Sequence, residues 1–155
     1  MTRYWLMKSE PNECAIDDAM AARRHTVPWT GVRNYQARNF MRDDMSVGDG
    51  VLFYHSSCPQ PGIAGIARVA SASKPDPTQF DPKSPYFDAA SRPDNPRWLL
   101  VDVQALRKTR LLALPELRAV PELADMVLLR RGNRLSITPV SDAHWQLIVA
   151  QMLAG

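Results

Sequence analysis

The pattern of apolar and polar positions predicts several short strands, with small helices between them. Residues 3–8 are rich in aromatic and apolar side chains and are soon followed by Pro11, so they are predicted to form a buried first strand. Four further strands are predicted at residues 51–56, 63–70, 98–106 and 134–140. We expect the first two of these four to pair antiparallel, and the third to have one mostly apolar face.

Helical spacing of apolar residues predicts a short helix at residues 15–24 and another at 35–42, for which Asn34 can act as the cap. Ser141 can cap a closing helix. Strands and short helices in this mixture predict an α+β domain built around a small, strongly bent sheet or barrel, with residues 1–155 forming a single domain.

Residues 74–96, which we call the flap, contain six prolines and four aspartates. A segment of this length and composition inside a compact domain is typical of an ordered functional loop rather than of a linker.

Composition and charge narrow the class of protein. The chain has 155 residues, 45% of them hydrophobic and 23% charged, as an ordinary globular domain has. No stretch approaches the roughly 18 apolar residues of a membrane span, and no export signal is evident, so we expect a cytoplasmic protein with Cys14 and Cys58 reduced. The net charge is +3, but residues 97–134 carry eight Lys or Arg against four Asp or Glu. Such a surface is either a solvated basic face or a face that contacts phosphates.

Trp29 lies between a proline and Thr30-Gly31, in a predicted loop where an indole would be hard to bury completely. It is either part of the core or a flat surface on which a nucleobase can stack. Gly31 would allow a ligand to approach the backbone closely, and Arg33 and Asn34 could hydrogen-bond a phosphate and a base edge.

Polar side chains also collect at the ends of two predicted strands. Lys8, Ser9 and Glu10 bring together a cation, a hydroxyl and a carboxylate, and His55 with Ser56 ends the second strand in the same way. Each group could equally be a strand end with solvated or structural polar side chains.

Signatures of enzymes and metal sites are absent from the sequence. There is no Gly-x-Ser-x-Gly elbow, no glycine-rich phosphate loop and no His-Glu-x-x-His. We therefore expect no catalytic activity, no metal and no cofactor.

Five segments occur in an order that resembles the EVE domain family, and the resemblance covers nearly the whole chain. They are Tyr-Trp-Leu-Met-Lys-Ser-Glu-Pro at 4–11, Trp-Thr-Gly-Val-Arg-Asn-Tyr-Gln-Ala-Arg-Asn at 29–39, Val-Leu-Phe-Tyr-His-Ser at 51–56, Pro-Asp-Pro-Thr-Gln-Phe at 75–80, and Arg-Leu-Ser-Ile-Thr-Pro-Val at 134–140. The resemblance implies a PUA-like fold, a bent β-barrel with peripheral short helices that is related to YTH domains. It also implies binding of modified bases, chiefly modified cytosines in DNA, without an established catalytic activity.

Carried over by position, the resemblance implies a base pocket with Trp29 as one wall. The residues implied for this pocket are Lys8, Ser9, Glu10, Trp29, Asn34, His55, Ser56, Ser136 and Pro139. Phosphates would be held by Arg33, Arg38 and Arg134.

Two other classes of function stay open at this point. One is a PUA-like ribonuclease with Lys8, Glu10 and His55 in acid–base roles. The other is a protein-interaction module that uses the flap and Trp98. The sequence also leaves open DNA or RNA as the nucleic acid, the identity of the modification and the oligomeric state.

Overall fold

The structure is a computed structural model and describes residues 2–153, in which eight strands and five short α-helices are found. The strands are β1 (Tyr4–Ser9), β2 (Thr26–Pro28), β3 (Gly50–His55), β4 (Gly62–Val69), β5 (Lys74–Pro75), β6 (Leu99–Leu100), β7 (Asp102–Ala113) and β8 (Ile137–Val140). The helices are α1 (Pro11–Cys14), α2 (Ile16–Ala21), α3 (Tyr35–Asn39), α4 (Leu114–Arg118) and α5 (Asp142–Gln146). The predicted mixture of strands and short helices is confirmed.

Six strands form one mostly antiparallel sheet in the order β2-β7-β4-β3-β1-β8. β1 and β3 run parallel, whereas the other neighbours in this sheet are antiparallel, including the predicted pair β3 and β4. β7 is longer than predicted and pairs with both β2 and β4, while β5 and β6 form a separate two-stranded ribbon at the base of the flap.

The predicted barrel is not closed, which corrects the expectation of a bent β-barrel. Within residues 2–153, β2 and β8 are the two edges of the six-stranded sheet and do not pair with each other. Both edge strands are short, and each contains a proline, Pro28 or Pro139, that has no N–H to donate to a further strand.

Apolar side chains cover both faces of the sheet, which is why its central strands are almost continuously apolar. Successive residues of a strand point to opposite faces. In β1, Trp5 and Met7 accordingly join one buried cluster, and Leu6 joins the other. The first cluster packs against α2 and α3, and the second packs against the C-terminal helices.

The predicted helix caps are confirmed, and α3 and α5 continue directly as π-helical turns, Phe40–Asp44 and Leu147–Met152. The Asn34 side chain accepts a hydrogen bond from the backbone N–H of Ala37 at 3.0 Å, and Ser141 accepts one from His144 at 3.1 Å. The predicted helix at 15–24 ends at Ala21 and is followed by a separate 3-10 turn, Arg23–His25.

Candidate functional site

A cavity of about 590 Å³ opens where the C-terminal ends of β1 and β3 meet the start of β8. Parallel pairing places the end of β1 beside the end of β3, and the N–H of Ser56 donates to the carbonyl of Ser9 at 2.9 Å. On the other side of β1, the N–H of Lys8 donates to the carbonyl of Ser136 at 2.8 Å. The volume lies within the range of about 300–1,000 Å³ that is typical of ligand sites.

Seven of the twelve residues that the sequence analysis named for base or phosphate contacts line this cavity. They are Lys8, Ser9, Glu10, Trp29, Ser56, Arg134 and Ser136. Segments separated by up to about 128 positions are thus brought together by the pairing of three strands.

Trp29 is a buried wall of the cavity rather than an exposed platform. Only 6% of its surface is accessible, because its indole packs edge-on against Phe53 with ring centres 5.2 Å apart. Its backbone N–H donates to the carbonyl of Val101, the residue between β6 and β7, at 3.0 Å. The expectation that this indole would be hard to bury completely is wrong: Trp29 belongs to the core and also lines the cavity, while its stacking on a base stays a prediction.

Lys8 and Glu10 bring a donor and an acceptor to the same cavity. Within residues 2–153, neither the Lys8 ammonium nor the Glu10 carboxylate has a protein partner. Burial lowers the pKa of Lys8. Ser9 differs, because its hydroxyl already donates to the carbonyl of Cys14 at 2.7 Å. Hydrogen-bonding capacity that the protein leaves unused is available to a ligand.

Tyr86, from the flap, supplies a second aromatic wall that the sequence analysis missed. Its hydroxyl donates to the Glu13 carboxylate at 2.6 Å, which joins the flap to α1. Burial, followed by this hydrogen bond, raises the pKa of Tyr86 to about 12. Partners 73 residues apart leave no local pattern in the sequence, although the length of the flap indicated a functional loop.

Gly31 is required by the approach of the Tyr86 ring. Its φ is +83°, and a Cβ added there would lie 2.7 Å from that ring. Gly31 itself lines the cavity, but the space in the direction of its missing Cβ is filled by the Tyr86 ring.

The flap is anchored to the cavity wall through Asp76, which is fully buried. Its carboxylate accepts hydrogen bonds from the N–H of Gly31 at 2.9 Å and from the hydroxyl of Thr78 at 2.6 Å, and it forms an ion pair with Arg33 at 3.0 Å. Burial alone would raise the pKa of Asp76, but the hydrogen bonds from Thr78, Gly31 and Arg33 outweigh it and lower the pKa.

The structure assigns Arg33 to this anchor and not to a phosphate. Besides the ion pair with Asp76, its guanidinium donates to the carbonyl of Tyr86 at 2.9 Å and to the hydroxyl of Thr78 at 3.0 Å. It also lies 5.5 Å from the ring centres of both Tyr86 and Trp98. A guanidinium held by this many protein acceptors has little capacity left for DNA, so the predicted phosphate role of Arg33 is corrected.

Arg38 also lies outside the cavity. It donates to the carbonyl of Arg97 at 3.0 Å and to the side chain of Asn39, and it lies 4.8 Å from the ring centre of Tyr35. It borders a separate, smaller cleft beside the flap.

Three of the predicted base contacts are likewise not brought to the cavity. Asn34 caps α3, and Pro139 faces a different cleft from its edge strand. The Nε2 atom of His55 accepts a hydrogen bond from the backbone N–H of Ile16 at 3.1 Å, and burial lowers the pKa of His55. His55 therefore acts as a neutral acceptor for the first turn of α2.

No group of three or more His, Cys, Asp or Glu side chains within residues 2–153 is placed to hold a metal ion. In the same part of the chain, no helix is both long and apolar enough to cross a membrane. Cys14 and Cys58 are both free thiols.

Comparison with known proteins gives one consistent result. The family model described as the EVE domain matches residues 3–151. Thymocyte nuclear protein 1 of Homo sapiens is 39% identical over an alignment that covers 97% of this chain and 74% of that protein. A protein of Pseudomonas putida with a solved crystal structure is 51% identical, with a TM-score of 0.88 and coverage of 95% of this chain and 97% of that one. Human THYN1 protein, solved in complex with 5-methylcytosine-containing DNA, is 38% identical, with a TM-score of 0.92 and 99% of both chains covered.

Proposed function

Because this chain belongs to the EVE domain family, we propose that it is a single-domain reader that captures one flipped or unpaired modified base. The favoured base is a modified cytosine of DNA. The partner class comes from the solved complex of human THYN1 protein with 5-methylcytosine-containing DNA. The residues that we propose to contact the base are those that line the cavity of this chain. The finer expectations of a PUA-like architecture and a cytoplasmic location belong to the same proposal.

One observation carries the proposal: a single cavity holds two aromatic side chains, Trp29 and Tyr86, together with an unpaired cation and an unpaired carboxylate. Cytosine presents an amino group that donates and ring atoms that accept hydrogen bonds. Glu10 suits the amino group, and Lys8 suits the accepting atoms. Opening a base pair costs a few kcal/mol, which stacking and these edge contacts must offset.

A 5-methyl group would gain apolar contact in this cavity, since Val27 and Pro28 also line it. Burying one such carbon contributes about 1 kcal/mol, which corresponds to a preference of roughly fivefold to tenfold over cytosine. We therefore propose a graded preference rather than absolute discrimination.

The two other classes of function are weaker proposals. A ribonuclease would need His55 beside Lys8 and Glu10, but His55 is bonded to the backbone N–H of Ile16. An interaction module would need an available Trp98, but its indole N–H donates to Asp88 at 2.8 Å and the residue is buried. RNA in place of DNA keeps the same base chemistry and is compared directly in the binding experiment.

The first test compares oligonucleotides that differ in one base. Fluorescence anisotropy of the wild-type protein should give the tightest binding to DNA with one 5-methylcytosine, weaker binding to the same DNA with cytosine, and weaker binding still with thymine, which lacks the amino group. Matched RNA oligonucleotides decide between the two nucleic acids. Equal affinity for all of these bases would contradict base reading.

The second test removes the proposed acceptor. Glu10→Ala should weaken binding to the 5-methylcytosine DNA about tenfold to a hundredfold, because a hydrogen bond to a charged group contributes roughly 1.5–3 kcal/mol. Glu122 is an exposed acidic residue that does not line the cavity, so Glu122→Ala is the control and should bind as the wild type does. If the two variants bind equally well, Glu10 does not read the base.

A further inference from the structure

We propose that the bound nucleic-acid strand crosses the gap between the two edge strands of the sheet, with its phosphates held by arginines on both sides of the cavity. One side is the turn before β2, with Arg23 and Arg24. The other is the loop before β8, residues 130–134, with Arg130 and Arg131 beyond the cavity-lining Arg134. This inference rests on the proposed function and adds the path of the strand.

The open edges of the sheet define the direction of this path. β2 and β8 lie at opposite ends of the strand order, yet Pro28 of β2 and Ser136 just before β8 line the same cavity. The sheet therefore curves enough to bring its two edges to the cavity without joining them. A base held between the edges leaves the flanking nucleotides to continue past β2 on one side and past β8 on the other.

On the β8 side, loop 130–134 has a fixed backbone and free guanidinium groups. The side chain of Asn133 donates to the carbonyl of Val127 at 3.1 Å and accepts from the N–H of Leu135 at 3.1 Å, which ties the loop at both ends. Arg134 lines the cavity, while Arg130 and Arg131, in the same loop, line a separate cleft of about 320 Å³. In the described part of the chain, none of these three arginines forms an ion pair.

On the β2 side, a groove of about 940 Å³ shares Pro28 with the cavity. Arg23 and Arg24 line this groove, and the structure gives neither side chain a partner within residues 2–153. The backbone that carries them is again fixed, because the carbonyl of Arg24 accepts from the hydroxyl of Thr26 at 2.9 Å and from the Gln104 side chain at 3.1 Å.

The turn Arg23–His25 has an unusual backbone conformation. Arg24 and His25 are consecutive residues with φ of +57° and +54°, a conformation that side chains other than glycine adopt at some cost. Two fixed segments with free arginines, one at each edge of the gap, match the regular negative charge of a strand that passes through the cavity.

Many other basic residues are already occupied. Arg33 is held by Asp76, Arg97 contacts Asp88 at 3.3 Å, and Arg110 contacts Glu116 at 3.1 Å. Arg107 and Arg118 are exposed but border none of the clefts beside the cavity, which makes them matched controls.

The test compares three double variants that remove the same charge: Arg23→Gln with Arg24→Gln, Arg130→Gln with Arg131→Gln, and the control Arg107→Gln with Arg118→Gln. Affinity for duplexes with one central 5-methylcytosine or cytosine is measured over a series of salt concentrations. Each of the first two variants should weaken binding to both duplexes equally and reduce the salt slope by about 1 for each arginine that contacts a phosphate. The control should keep the wild-type slope. Equal effects of all three variants would overturn the path and indicate a general effect of net charge.

Shortening the DNA tests the two sides separately. When the duplex is truncated on one side of the central base, either the Arg23/Arg24 variant or the Arg130/Arg131 variant should lose its effect while the other keeps it. Truncation on the opposite side should reverse the two. If both variants keep or lose their effects together, the path is wrong. Failure of the proposed base reading gives a different result. The preference for 5-methylcytosine over cytosine would then be absent, while the salt slopes of the Arg23/Arg24 and Arg130/Arg131 variants would still differ from that of the control.

Discussion

Two clusters of charged side chains meet at Gly31 and differ in whether the protein itself satisfies them. In the anchored cluster, Arg33 and Asp76 are partners of each other, and both form hydrogen bonds with the flap backbone. In the open cluster, Lys8 and Glu10 face the cavity without a protein partner. Residue types are similar in both, but the first cluster stabilises the fold and the second is available to a ligand.

Whether a charged side chain has a protein partner therefore distinguishes structural residues from candidate binding residues better than membership of the same motif does. Arg33 lies four residues after Trp29 in one segment, and both were predicted to contact the nucleic acid. In the structure, Trp29 lines the cavity, whereas Arg33 forms an ion pair with Asp76 of the flap. Stability measurements should therefore respond to the anchored cluster, and binding measurements to the open cluster.

The largest expected effect on stability comes from Asp76→Ala. Removing this buried carboxylate leaves the largely buried Arg33 guanidinium without its counter-ion, which should cost about 3 kcal/mol in the free energy of unfolding. Urea denaturation measures this loss. Glu10→Ala, from the open cluster, should change the same quantity by less than about 0.5 kcal/mol. Similar losses in both variants would remove the distinction between the clusters.

The pH dependence of the Asp76 contribution has a definite sign. The folded-state pKa of Asp76 is lowered, whereas the pKa of an aspartate in an unfolded chain is about 3.9. Its stabilisation is therefore present above that pH and is lost as the pH falls through the lower, folded-state pKa. The stability difference between wild type and Asp76→Ala should shrink over this acidic range.

The second effect comes from Gly31→Ala at the contact between the clusters. A left-handed residue with a Cβ costs about 1–2 kcal/mol, and here the Cβ would also overlap the Tyr86 ring. Gly48→Ala is the matched control, because Gly48 has φ of +96° and nothing within 4 Å of the added Cβ. Gly31→Ala should be less stable than Gly48→Ala by urea denaturation and should bind DNA more weakly. Equal stability would mean that the ring moves aside freely.

Much of the fold was predictable because its strands carry local apolar patterns and its helices carry local caps. Asn34 and Ser141 occupy the predicted cap positions, and β1, β3 and β4 lie within a residue or so of their predicted bounds. The closed barrel was not correctly predicted, since closure depends on whether two edge strands meet and no local pattern records that.

The lining of the cavity was predictable in part. Lys8, Glu10 and Ser56 were named because they lie at the ends of two predicted strands, but the parallel pairing of β1 with β3, which brings those ends together, was not predicted. The partners of Arg33 and Tyr86 lie 43 and 73 residues away, and such pairs arise only when the flap folds back.

The smallest expected effect tests the link between the flap and α1. Tyr86→Phe removes one hydrogen bond to the exposed Glu13 and should cost less than about 1 kcal/mol at neutral pH. Because the folded-state pKa of Tyr86 is raised to about 12 from an ordinary value near 10, its contribution is complete below pH 10 and is lost as the pH rises through 12. An ultraviolet titration of wild type and Tyr86→Phe isolates this tyrosine by difference, and Glu13→Gln should move its titration to lower pH. If Glu13→Gln leaves the titration unchanged, the hydrogen bond does not hold the flap in solution, and Tyr86 is positioned by Arg33 and by its packing against Gly31.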